Sequence, residues 1–236
     1  MLLRAAAVLI AMTLFLGGCA APRTADDDRA VRSVGVVSLL DETTSVRHLG
    51  LTVFNNHAAE IEQGGKLRQV VGDTVKQRLA SSRPQWAVKV DDADLSALIE
   101  RNRKPVAWEA FTTTYASDLA AINGRLDADL LFVLVDSRAE NYPGRGVGIT
   151  FRAMSNDPNL VPVHSFITLY VIDRHGKELI RRGATKDNPQ MVSNKVLGLR
   201  SDMSTLSDPK VRDTVSATLA THLKGAVEDA MTRAGY

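Results

Sequence analysis

Three glycines at alternate positions beside an arginine, Gly144-Arg145-Gly146-Val147-Gly148, form the stretch of this chain best suited to hold an anion. Backbone amides without side chains can approach an oxyanion closely, and the guanidinium supplies charge. The setting of a dinucleotide fingerprint is missing, since Phe151 stands where a third spaced glycine would fall and no strand-to-helix junction is apparent. A plain turn with a bulge competes as a reading. Ser207-Asp208-Pro209-Lys210 has the Ser-x-x-Lys spacing of an activated nucleophile. It lacks a Lys-Thr-Gly partner, and Ser201-Asp202-Met203 misses the asparagine of Ser-Asp-Asn. Helix capping accounts for Ser207 and Asp208 without chemistry. No residue is given a catalytic role.

Five histidines are present, His48, His57, His164, His175 and His222. None stand at the i, i+2 or i, i+4 spacing of common metal sites, and there is no His-Glu-x-x-His. No metal and no cofactor is therefore expected. His48 and His57 flank a predicted strand near Asp41 and Glu42. They read as solvated strand ends, with a metal site as the alternative. Arg103, Trp108 and Phe111 lie in a segment broken by Pro105. Tryptophan and arginine are favoured interface anchors, so these three are the candidate partner contacts. The competing reading is that both aromatics cap the core beneath a loop.

The only cysteine, Cys19, follows a short apolar run, Ala5 to Leu16, that itself follows Arg4. Twelve apolar residues fall short of the roughly 20 needed to span a bilayer. A charged start, apolar middle and small-residue end are the pattern of a secretory signal peptide. Leu16-Gly17-Gly18-Cys19 resembles the lipobox of bacterial lipoprotein precursors. The resemblance implies diacylglyceryl transfer to Cys19, cleavage between Gly18 and Cys19, and acylation of the new terminus with a fatty acid such as palmitate. Several chains together anchor stably. Ala20 in place of aspartate points, by the common sorting rule, to the outer membrane facing the periplasm. Residues 1–18 are thus the expected signal peptide, 19–31 a lipidated cysteine and tether, and 32–236 a single domain. Without residues 1–18 the 236-residue chain would keep 218, enough for one sizeable core.

Charge is close to balanced. Lysine plus arginine number 29 and aspartate plus glutamate 27, and Arg4 leaves with the leader. Nucleic acid is not an expected partner. The expected attachments are the membrane, through the lipid on Cys19, and an envelope protein; the oligomeric state is left open.

The elements that must position these residues are legible from periodicity. Ser33–Leu40 reads as a buried strand, and Val46–Phe54 as its hairpin partner. Leu67, Val70, Val71, Val75 and Leu79 mark one face of a helix over 66–79. A short strand is predicted over 86–90, short helices around 95–99 and 119–124, and a strand covered on both faces over 130–135. Val147–Met154 and Val163–Asp173 read as strands, the second turning at Gly176 into a polar strand over 177–182. Residues 184–206 read as irregular. Asp208 and Pro209 open a long amphipathic helix that Gly235 closes. The fold class is α/β, or α+β: one domain, a mixed sheet with helices packed against it. With Ser33–Asn56 giving the strongest impression, the chain resembles uncharacterised proteobacterial envelope lipoproteins and, more distantly, the amino-terminal domain type of TolB and of curli-secretion lipoproteins. These observations favour a non-enzymatic binding or scaffolding lipoprotein. The alternative is a lipid-anchored hydrolase or small-ligand binder using the glycine loop.

Overall fold

The computed structural model describes residues 29–52, 56–103, 110–139, 142–152, 157, 159–184 and 188–236. The chain divides into two units, 1–31 and 32–236, and every element below lies in the second. Among the described residues nine strands build one mixed sheet: β1 Ser33–Leu39, β2 Thr43–Leu49, β3 His57–Glu62, β4 Ala87–Val90, β5 Leu130–Asp136, β6 Gly146–Arg152, β7 Leu160–Asp173, β8 Glu178–Gly183 and β9 Gln190–Ser193. The helices are α1 Lys66–Ser82, α2 Ser96–Arg103, α3 Phe111–Thr114, α4 Ala116–Leu126, α5 Asn194–Leu197 and α6 Pro209–Arg233. The α/β architecture with a long last helix follows the expectation.

The fourteen-residue β7 is the spine. Along one edge it pairs antiparallel with β5 over 167–173 and with β6 over 163–166. Along the other it pairs with β8 over 168–172 and with β9 over 160–163. Ser165 falls in the gap between β8 and β9. There the Asn188 side chain takes the place of a strand: its Oδ1 accepts from the Ser165 N–H at 3.0 Å, and its Nδ2 donates to the Ser165 carbonyl at 2.6 Å. One carboxamide thus supplies the donor and acceptor that a backbone would have offered.

Beyond β5 lie β1 and β4, all three parallel; beyond β6 lie β2, parallel to it, and β3, antiparallel to β2. The sheet is therefore two half-sheets sharing β7. Two short connections carry the chain between them beside β7, from β1 to β2 through residues 40–42 and from β5 to β6 through 137–145, and α1 carries it back from β3 to β4. At this seam Ser137 N–H donates to the Phe166 carbonyl and Gly146 N–H to the Ser137 carbonyl, so the chain leaves β7 and rejoins it one residue along.

Two layers of helix cover the sheet. On one face Val37, Leu39, Leu131, Val133, Val135, Tyr170 and Ile172 pack beneath α2, α3 and α4. On the other, α1 and α6 pack on β1 and β7 and against each other. Covering on both faces explains why β1 and β5 are near-continuous apolar runs. In α6, Asp208 caps the first turn by accepting from Lys210 N–H at 2.9 Å, and Pro209 fills the first position.

Four expectations are corrected. β2 does not pair with β1; the three residues between them carry the chain across the seam. Strand β3 was not expected: in HAAEIE only Ile61 is buried, so the alternation is barely marked. α4 does not stop at Gly124. It continues to Leu126, where Asp127 takes the left-handed conformation at φ 44°. Residues 184–206 are not uniformly irregular, since they hold β9 and α5.

Candidate functional site

The seam is also where the parallel strands β4, β1 and β5 end. In open α/β sheets ligands bind in the crevice beyond such carboxyl ends, where neighbouring connections part. Each of the three strands ends at an aspartate: Asp91 after β4, Asp41 two residues beyond β1, and Asp136 closing β5.

Asp136 stands at the break in both ladders. Its Oδ2 accepts from Asp41 N–H at 2.9 Å, a donor left without a strand partner by the crossing. Burial pushes its carboxyl up to about 7, opposed by the Asp41 N–H and by the guanidinium of Arg145. Gly146 is required here. Its φ is 61°, and a Cβ would drive into the Asp136 carboxylate.

Asp41 gathers its neighbours. One oxygen accepts from Thr43 N–H at 3.0 Å, closing the turn into β2. Arg103, at the end of α2, grips both oxygens, Nε on Oδ2 at 2.7 Å and Nη2 on Oδ1 at 2.8 Å. This two-pronged geometry fixes orientation as well as charge. The hydrogen bond to Asp41 holds the guanidinium above its usual pKa. Arg145 donates to the carbonyls of Asn102 and Arg103, capping the same helix end. Glu42 turns the other way and caps α1, with Oε1 accepting from Arg68 N–H at 2.9 Å and Oε2 from Gly65 N–H at 3.1 Å. Adjacent residues of one crossing therefore tie down the start of α1 and the end of α2.

Between those helices opens a cleft of about 450 Å³, with Asp41, Glu42, Arg68, Ser96, Glu100 and Arg103 in its wall. Its size suits a small ligand or an inserted side chain. The Arg68 Nη1 donates to the Ala93 carbonyl at 2.9 Å, while its buried Nε has no hydrogen-bond partner among the described residues. Asp91 is buried and meets Arg125 Nη2 at 2.7 Å.

Of the residues singled out from sequence, Arg103, Arg145 and Gly146 converge at the seam although 42 positions separate the two arginines. Gly144 and Gly148 lie instead against His164; a Cβ on Gly144 would stand 2.8 Å from its Nε2. His164 is fully buried, and burial drives its pKa down to about 3. Both ring nitrogens lack a partner among the described residues, and the ring stacks on Phe166 with centroids 4.9 Å apart. Phe111 is a correction: it is buried, its ring 4.5 Å from that of Tyr170, and it offers no surface to a partner. Trp108, Gly18 and Cys19 lie outside the described residues. Ser207 donates to the Ser204 carbonyl at 3.1 Å, a local turn bond. Ser165 and His222 do meet, Oγ to Nδ1 at 2.9 Å, but Ser165 has no exposed surface for a substrate to reach.

Asp41 and Asp136 were not among the sequence candidates. Their signal was a carboxylate directly after an apolar run, which marks a strand end without revealing that two such ends meet.

No family model matches the chain, and no curated protein matches it. Among solved structures it has a slight likeness to the lipoprotein GNA1162 from Neisseria meningitidis, with 16% identity over 66% of this chain and 86% of that one and a TM-score of 0.27, too low to carry an argument.

Proposed function

We propose that this chain is a lipid-anchored binding component of a bacterial cell envelope, facing the periplasm from the outer membrane, and that the seam cleft is its binding site. The observation that carries the binding role is the way the cleft uses its charges. Arg103, Asp41, Arg145 and Glu42 are spent on holding one another and two helix ends, an arrangement that shapes a surface. A reaction would call for a base poised beside a reachable nucleophile. The buried Ser165 beside His222 does not favour the hydrolase reading. The anchor rests on Leu16-Gly17-Gly18-Cys19. No helix among the described residues is long and apolar enough to cross a membrane.

Two measurements test this. Mass spectrometry of the mature amino terminus should find an acylated Cys19, and Cys19→Ser should abolish incorporation of a labelled fatty acid. An unmodified terminus elsewhere would remove the anchor. For the cleft, a photo-crosslinker at exposed Glu100 should capture a discrete envelope component that Arg103→Glu eliminates. The same probe at exposed Ser81, outside the cleft, should capture none. Equal capture from both positions would sink the binding-site assignment.

A further inference from the structure

We infer that the β2–β3 hairpin carries a site for a late first-row divalent metal ion, formed by His48 and His57. The two histidines are nine positions apart, a spacing that marks no metal motif in sequence. The antiparallel register of β2 and β3 sets them directly opposite each other. Directly paired cross-strand residues have Cβ atoms about 4.5–5.5 Å apart. Their ring centroids are 6.1 Å apart and their planes 5° from parallel. Two imidazoles sharing one ion hold it in both ring planes through metal–nitrogen bonds of about 2.0–2.1 Å, so the stacked rings turn about their side-chain torsions to bring one nitrogen of each together, while the directly opposed strands stay in place.

The surroundings favour ligation. His57 is exposed and His48 half-buried, so an ion can arrive from solvent. Phe151 on β6, paired with His48, meets its ring edge-on with centroids 6.5 Å apart. The buried Nδ1 of His48 has no hydrogen-bond partner among the described residues, so no protein group commits the imidazole to another task. Neutral imidazoles favour Zn²⁺, Cu²⁺ and Ni²⁺ over Mg²⁺ and Ca²⁺. Among the described residues no group of three or more histidine, cysteine, aspartate or glutamate side chains could hold a metal ion. Water therefore completes the coordination, which makes this an exchangeable site and not a closed structural one.

The test is calorimetric titration of Zn²⁺ into the full chain in detergent, without a polyhistidine tag and carrying Cys19→Ser so that no thiol competes. One ion per chain should bind. His57→Ala should weaken binding by at least about tenfold, the least that losing even an outer-shell partner costs. His57→Gln should do the same, which covers any loss of folding in the alanine variant. His175→Ala, in an exposed turn on another strand pair, should change nothing. Substoichiometric Cu²⁺ should broaden the ring signals of His48 and His57 before those of the other histidines. Unchanged affinity in both His57 variants, no Zn²⁺ binding by the parent chain, or broadening centred on other histidines would each overturn the site.

Discussion

Asp136 combines two demands on one carboxyl group. It must accept the Asp41 N–H at the broken ladder, and it is held in a site that disfavours its charge. Its folded pKa, about 7, lies above the ordinary aspartate value near 3.9. The folded state therefore binds this proton more tightly than the unfolded chain does. By linkage, stability from this group is greatest below about pH 4 and is lost as pH rises toward about 7, by on the order of a few kcal/mol. Asp136→Asn keeps an acceptor oxygen and removes the charge. Urea unfolding at pH 5 and pH 8 should show the parent chain losing more stability than the variant. Equal losses would mean that Asp136 does not titrate in this window.

At the scale of elements, β2 and β6, neighbours in one half-sheet, meet through close backbone approach. A Cβ at Gly148 would lie 2.6 Å from the Ser45 carbonyl oxygen, on the neighbouring strand β2. Gly148→Ala should force β2 from β6 and lower stability by about 1–3 kcal/mol, the usual range for overpacking. Gly124 in α4 has nothing within 4 Å of an added Cβ. Gly124→Ala should stabilise by about 0.5–1 kcal/mol through helix propensity. Thermal unfolding of the two variants should move in opposite directions. This contrast also shows what the sequence could carry. Periodicity and apolar runs revealed α1, β5, β7 and α6, because each buries a stripe or a whole strand that composition must record. Pairing left no such mark. β2 looked like a partner for β1 because two strands joined by a short turn are usually a hairpin, and nothing in residues 41–44 signals a crossing between half-sheets. The site suffered for the same reason. Arg103 and Arg145 were each visible as candidates, but their meeting depends on where the seam falls.

At the scale of the whole molecule, stability depends on ties between distant segments. The Tyr236 ring lies 4.9 Å from Phe132 on β5 and 5.9 Å from Trp86 ahead of β4, and its carbonyl accepts from Arg78 Nε of α1 at 3.0 Å. Removing a buried aromatic typically costs about 3–5 kcal/mol, so Tyr236→Ala should lower the urea midpoint substantially. Because β7 runs through both half-sheets, the loss should appear as one transition, with far-ultraviolet and tryptophan signals coinciding. Separate transitions would mean that the half-sheets melt independently. The Asn188 carboxamide that stands in for a strand beside Ser165 has a consequence for timing. The Ser165 amide hydrogen sits in the middle of the longest strand, yet a single rotatable side chain guards it. Its deuterium uptake should follow the swing of the Asn188 side chain and outpace that of Leu169, which pairs with Arg182 of β8 along that edge. In an exchange experiment the centre of the spine would take up label before its flanks.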